Sequence, residues 1–496
     1  MFKMAEHYNR EEIRSRFNYD PLFEKEILKR AQCLVGLSIK EVIQCSPYTS
    51  QDSRCSNKGL IGNIIEEHGF GIKNNSSPLP DFVEAGIELK VIPLESSRKT
   101  GLTVKERTKV CAIDYFKLLE ERWPQSHARC KLNKILFIYY HYNQKDNLSS
   151  KIINYDLWAL TGIPEEGIIK GDWETVWNFV DRGEAHLLSE SQNKILAASR
   201  AGQGGCDRNG EQNDLVPQPK NKQKPAFKRA FSLKQSFTRQ RWLQIHKSVV
   251  YESIVASLKI TEYVNFEEML LKALRGYAGE TLGAFAKKFN VPIPKGKNAA
   301  ATIVKKAIGF RNVNSRIKEF EQLGIEVRIV PLATNNYPRE AVSFPAFDIE
   351  ELLREDWEDA ALHEYVTKML FIPVYARKAK LPIAQRIIGK AFFWSPDEQE
   401  WEKIEQEWER YRDEIVDGKA RPTKKYIAGG KKYKEITNLS KQSATKIIHI
   451  RPHARKCSAN RDNDPYGNEV ARQSFWLNKK FVAEKVRSSL RDNGTI

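Results

Sequence analysis

The chain has 496 residues, 41 % of them apolar, and its 81 Lys plus Arg against 63 Asp plus Glu give a formal charge of +18. That length exceeds one ordinary core and points to at least two domains, and a cationic surplus of that size points to a polyanionic partner. The first residues hold no apolar signal-peptide core, no stretch reaches transmembrane length, and the seven cysteines are scattered without a CxxC pair. Neither a membrane protein, a secreted disulfide scaffold nor a zinc site is indicated, and a cytoplasmic location is expected.

In chain order, KGLIGNIIE (58–66) places Leu60, Ile61, Ile64 and Ile65 on one helix face, with Glu66 at its end. PDFVEAGIELKVIPL (80–94) follows: Asp81, a short gap, then Glu88-Leu89-Lys90 inside an apolar run that predicts a strand. Strand side chains alternate, so Glu88 and Lys90 share a face, roughly 6.6 Å apart along the backbone. Charge on a buried strand is costly unless it is paired or used. Phosphodiester cleavage needs this set: carboxylates for a hard divalent cation and an ammonium near the attacking water. A surface Glu/Lys pair on a half-exposed strand would give the same short pattern. Beyond it, ILFIYYHY after Lys134 predicts a buried strand and WETVWNFV a helix. Gly202 to Lys224 reads as a long loop with a basic end suited to phosphate.

The second half repeats the first. Glu26–Ala31 with Gly36 matches Glu268–Ala273 with Gly279; AGIELKVIPL (85–94) matches LGIEVRIVPL (323–332); KGLIGNIIE matches KNAAATIVK (297–305). Lys134-Ile-Leu-Phe-Ile matches Lys368-Met-Leu-Phe-Ile, Trp173-Glu174 matches Trp408-Glu409, and Arg229–Leu233 matches Gln473–Leu477. The pairs keep one order, at offsets from 234 (Lys134 to Lys368) to 244 (Arg229 to Gln473). Six matches in register mean duplication of a domain of a little over 200 residues.

These motifs, together with AFSLKQSF, LPIAQRIIGKAFFWSPDEQEWEKIEQEWERYRDEIVDGKA and HIRPHARK, resemble the MutH family of DNA endonucleases, and in particular its tandem, GATC-cutting type II restriction enzymes. The resemblance implies an α/β fold: two tandem restriction-endonuclease-like domains of the PD-(D/E)xK type, each a mixed central sheet flanked by helices. It implies a catalytic domain over 1–245 and a non-catalytic, DNA-binding or regulatory domain over 246–496. It further implies Mg²⁺-dependent double-strand cleavage at a short palindrome, GATC, leaving 5′-phosphate ends, with double-stranded DNA as partner and a homodimer on DNA possible. Asp81, Glu88 and Glu66 match the family's metal-binding acids, Lys90 its motif lysine and Lys134 a second lysine near the site. Arg451 matches a base-contacting arginine, and His453 stands at a neighbouring DNA-contacting position; Ser199 and Arg200 occupy the equivalent segment of the first half, and Lys234, Lys479 and Lys480 are candidates for phosphate contact.

The second copy departs from the pattern: Glu319 stands for Asp81, Glu326 for Glu88, Arg328 for Lys90 and Lys305 for Glu66. A cation at Lys305 opposes a divalent metal and Arg328 is a bulky, permanent cation, so the second copy is expected not to cut. Two other readings compete: a mismatch-repair nickase like MutH, and a DNA-binding protein on a dead nuclease fold. The duplication argues against the first, since the repair enzyme has one domain; the Glu66/Asp81/Glu88/Lys90 set argues against the second.

Overall fold

Apolar runs bounded by charged turns build the centre of each half. The computed structural model describes residues 10–48, 59–73, 77–97, 101–143, 145–161, 165–202, 213–246, 251–254, 266–295, 299–307, 316–378, 380–426, 433–452 and 461–491. The chain divides into two compact units, Met1–Val250 and Tyr251–Ile496. Tyr251–Glu252 pairs with Arg316–Ile317 within the second unit.

In the first unit the strand Lys134–His141, buried from Ile135 to Tyr140, lies parallel to Glu88–Ser97, with Glu88 opposite Ile135 and Lys90 opposite Phe137. Gly101–Val104 and Lys151–Ala159 add antiparallel on the two outer sides, making a mixed sheet of four strands. An antiparallel sheet of Thr108–Ile113, Arg229–Leu233 and Leu196–Arg200 stands apart from it. Ile27, Ala31 and Leu34 of the helix Glu24–Leu34 pack with Ile61, Ile65, Leu89 and Ile138 in one core.

The second unit repeats the plan. Glu326–Pro331 lies parallel to Met369–Tyr375, with Glu326 opposite Met369; Ile387–Ile388 and Phe392–Trp394 add antiparallel. Val342–Ala346, Gln473–Leu477 and Ile448–Pro452 form the separate antiparallel sheet. The tandem MutH-like α/β architecture expected from the sequence is the one observed.

Local devices recur as well. Gly86 and Gly324 precede the charged strands at φ 64° and 61°, a left-handed conformation that an L side chain adopts only at a cost. Each unit also buries an acid in its long helix. Asp172, on Glu165–Asp181, accepts the N–H groups of Lys194, Ile195 and Leu196 at 2.7, 2.6 and 2.8 Å. Glu407, on Glu398–Val416, accepts those of Lys446, Ile447 and Ile448 at 2.6, 3.0 and 2.9 Å. These charge-assisted bonds tie the long helix to the start of a strand, Leu196–Arg200 or Ile448–Pro452.

Candidate active site

Three elements of the first unit carry acids to one place. The helix Leu60–Ile64 runs on into a π-helical turn, Ile65–Gly69, that holds Glu66 half-buried while Glu67 stays exposed. Such turns concentrate at functional sites because they re-aim one side chain. Phe82 and Ile87 exchange backbone hydrogen bonds of 2.8 and 3.1 Å, folding 82–87 into a turn. That turn brings Asp81 back along the strand, where its Oδ2 accepts the N–H of Leu89 at 2.8 Å. Glu88, only 1 % exposed, opens the strand Glu88–Ser97.

The electrostatics show that these groups act on one another. Burial, then Asp81 and Glu88, push the Glu66 carboxyl up to about 7, against the pull of Lys90 and Lys131. Burial and Glu88 push Asp81 up to about 6. Burial alone would lower the Lys90 ammonium, but Glu88, Asp81 and Glu66 outweigh it and hold it above its ordinary value. Lys90 Nζ donates to Glu88 Oε1 at 2.6 Å. Three carboxylates that act on one another electrostatically suit a hard divalent cation; the upward shifts of Glu66 and Asp81 come first from burial and then from the neighbouring acids. The residues present fit such an ion.

Lys134 does not join the cluster. It begins its strand and donates to Glu24 Oε2 at 2.6 Å. Lys131, one turn earlier on the helix His127–Leu132, takes the place expected of it: its Nζ lies 2.9 Å from both Glu88 carboxylate oxygens and 3.3 Å from the Leu79 carbonyl oxygen. The sequence reading missed Lys131, and the repeat held the signal. At the offset that pairs Lys134 with Lys368, Lys131 pairs with Tyr365, so this cation is lost in the copy with the altered motif. The Lys134 position keeps both its residue and its architectural use: Lys368 Nζ donates to Glu267 Oε1 at 2.8 Å, in the first turn of the helix Phe266–Arg275.

In the second unit the acids do not converge. Glu319 lies on a short helix, Lys318–Gln322, buried against Ser253 Oγ, which donates to it, and the Ile254 N–H at 3.4 Å. Glu326 receives Arg328 Nη1 at 2.6 Å, and Lys305 faces both.

The expected DNA-contacting residues fall into two groups. Arg451 is half-exposed with its guanidinium 3.6 Å above the Trp476 ring, and Arg200 is exposed and stacked 4.1 Å over Phe227. Ser199 is buried instead and bonded to Ser232 Oγ at 2.7 Å: Leu196 to Ser199 are all covered, and of this strand Arg200, its last residue, reaches the surface. Lys234 and Lys479 are half-buried, their ammonium groups bonded to the carbonyl oxygens of Asn193 and Arg339, each at 2.7 Å; Lys480 is exposed. His453 lies outside the described residues.

Comparison with known proteins agrees with this arrangement. The chain is 26 % identical to the type II restriction enzyme Sau3AI of Staphylococcus aureus over 95 % of its own length and 99 % of that protein's. It is 31 % identical to the DNA mismatch repair protein MutH of Vibrio cholerae over 36 % of its length and 77 % of that protein's, and 28 % identical to MutH of Pasteurella multocida over 40 % and 89 %. The profile of the DNA mismatch repair enzyme MutH matches twice, at residues 70–172 and 308–407, one segment in each unit. The chain belongs to the MutH family, as a MutH-like nuclease with two family segments in tandem.

Proposed function

We propose that the protein is a type II restriction endonuclease that makes Mg²⁺-dependent breaks in double-stranded DNA at a short palindrome, GATC, leaving 5′-phosphate ends. One observation supports the reading: in the first unit Glu66 and Asp81 are raised by burial and by neighbouring acids, and Glu88 is held by two lysines, Lys90 and Lys131. Glu66, Asp81 and Glu88 would hold the ion, which would supply charge to offset the phosphate's and to make a water easier to deprotonate. The chain's own groups do the rest. The Leu89 N–H fixes the rotamer of Asp81. Lys131 holds the Glu88 carboxylate from both oxygens, and Lys90, which also donates to Glu88, has further N–H donors to meet the charge that develops on the phosphorus oxygens. A positioned donor of that kind is worth on the order of 100- to 1000-fold in rate. The first unit is the cutting domain and the second binds DNA and regulates, with exposed Arg200 in the first and half-exposed Arg451 in the second for base or phosphate contact.

One intact cluster per chain means that a double-strand break takes two chains on DNA or two successive cuts. The test is incubation with methylated and unmethylated plasmid, with Mg²⁺ or chelator and no repair proteins, followed by sequencing of the ends. Linear product with GATC ends is expected, abolished in Asp81→Ala with DNA binding intact. Cutting that appears only when mismatch-repair partners are added would favour a repair nickase.

A further inference from the structure

We propose that Ser126 is a positioning residue for the cutting centre: it sets the helix His127–Leu132 so that Lys131 reaches Glu88. The inference rests on the reading of Glu66, Asp81, Glu88, Lys90 and Lys131 as that centre, and adds a residue that acts through Lys131.

Lys131 stands near the end of a helix of only six residues, His127–Leu132. A helix that short is not stable by itself, so its start has to be fixed from outside. Ser126 does this. It is fully buried, and its Oγ accepts the Arg129 N–H at 3.1 Å while donating to the Trp123 carbonyl oxygen at 3.0 Å. One hydroxyl thus joins the turn Trp123–Gln125 to the first turn of the helix. Five residues on, the Lys131 ammonium lies 2.9 Å from both Glu88 carboxylate oxygens. The Lys131 side chain is only 11 % exposed, so it has little room to find Glu88 from a shifted helix.

The second unit supplies the comparison. At the offset that pairs Lys134 with Lys368, the segment from Asp114 matches the segment from Asp348 without a gap. The same elements recur: Tyr115–Glu120 as Ile349–Arg354, Trp123–Gln125 as Trp357–Asp359, and His127–Leu132 as Ala361–Thr367. The cap of the first helix is kept. Asp114 accepts the N–H groups of Phe116 and Lys117 at 3.0 and 3.2 Å, and Asp348 those of Glu350 and Glu351 at 3.1 and 3.3 Å. The backbone bond at the second helix is kept as well: the N–H of Ser126 donates to the Trp123 carbonyl oxygen, and that of Ala360 to the Trp357 carbonyl oxygen, each at 3.1 Å. What is lost is the hydroxyl, with Ala360 in place of Ser126, and the lysine, with Tyr365 in place of Lys131. The helix Ala361–Thr367 forms without a side-chain cap. A hydroxyl is therefore not needed to make a helix here, and its remaining use in the first unit is to place one. Of two neighbouring caps, the copy that lost the lysine lost the one on the lysine's own helix.

The experiment is a double-mutant cycle in Mg²⁺-dependent cutting of a GATC duplex by the full chain, with kcat and KM measured separately. Ser126→Ala should lower kcat about 10-fold or more and leave KM unchanged, since a misplaced lysine slows the reaction while the DNA contacts stay. In a Lys131→Met background the same change should cost less than about 2-fold, because the group it positions is already gone. Asp114→Ala, which removes the neighbouring cap, should cut at the wild-type rate. Circular dichroism of each variant confirms the fold. Equal slowing in both backgrounds, Ser126→Ala as fast as the wild type, or Asp114→Ala as slow as Ser126→Ala would overturn the positioning role and leave the cutting centre standing. Lys131→Met as fast as the wild type, or Asp81→Ala that still cuts, would overturn the centre itself and the role of Ser126 with it.

Discussion

The pH dependence of metal binding offers the sharpest test of the Glu66, Asp81 and Glu88 cluster. A divalent ion needs ionised carboxylates, so protons and metal compete for the same oxygens. At pH 5 a carboxyl at about 7 is ionised in roughly one molecule in 100, and one at about 6 in roughly one in 10. Both are ionised together in roughly one in 1000, against nearly all at pH 8. Affinity for Mg²⁺ should therefore fall on the order of 1000-fold from pH 8 to pH 5, about 4 kcal/mol at 1.4 kcal/mol per decade. Glu66→Gln removes the carboxyl with the higher value while Asp81 stays where burial and Glu88 put it. Its affinity should be weaker at pH 8 but fall only about 10-fold over the same range. Titration calorimetry with Mg²⁺ on the DNA-free protein, at half-unit steps of pH, reads both curves. Equal steepness in the wild type and Glu66→Gln would refute the reasoning, since it would mean that Glu66 does not share the ion.

Other variants separate chemistry from architecture. Lys131→Met should reduce cutting at least 100-fold in a plasmid assay, by leaving Glu88 with Lys90 as its one partner among the described residues. Lys134→Met should cut near the wild-type rate and lose less than about 1 kcal/mol in urea denaturation, because its pair with Glu24 is well exposed; a crippled Lys134→Met would return that lysine to the site. Glu326→Ala should leave Mg²⁺-dependent cutting in place, and loss of all cutting would mean that the second unit holds a working centre. Asp172→Ala and Glu407→Ala each strand three N–H groups, two of them buried, and should each cost about 3 kcal/mol by chemical denaturation. A loss below 1 kcal/mol would show that water replaces the carboxylate.

The duplication, the charged strand and the buried strand beside it were legible because each leaves a local mark: repeated strings, alternation and apolar runs. Glu66, Asp81, Glu88 and Lys90 were legible as a motif, although their meeting depends on the Phe82–Ile87 turn and the π-helical turn at Ile65–Gly69. Lys131 was missed because its role depends on where a short helix meets a strand, which no periodicity reports. Lys134, three residues on, has the more suggestive place at the strand's start. Comparing the two copies would have separated them. Lys134 persists as Lys368, with the same use as an anchor, while Lys131 becomes Tyr365. Ser199 lies buried for a different reason: its strand is covered on both faces from Leu196 to Ser199, and Ser199 bonds to Ser232 across the pairing with Arg229–Leu233. Asp172 and Glu407 carry no signal at all, since an acid on a long helix ordinarily faces water.

The crowding of Glu66 and Asp81 has an evolutionary consequence. Carboxyls that titrate higher in the folded chain than in the unfolded one bind protons more tightly when folded. They make the metal-free fold less stable as pH climbs from about 4 to about 7. The first unit thus carries a standing load for as long as selection demands a metal site. After duplication, a copy relieved of that demand can lose a crowded acid, as at Lys305 in place of Glu66, and such a loss removes that load rather than adding to it. Decay of such a centre meets no resistance from the scaffold, whose helix-to-strand tie through Glu407 is untouched. A tandem chain with one laden half and one lightened half is where drift would carry such a duplication.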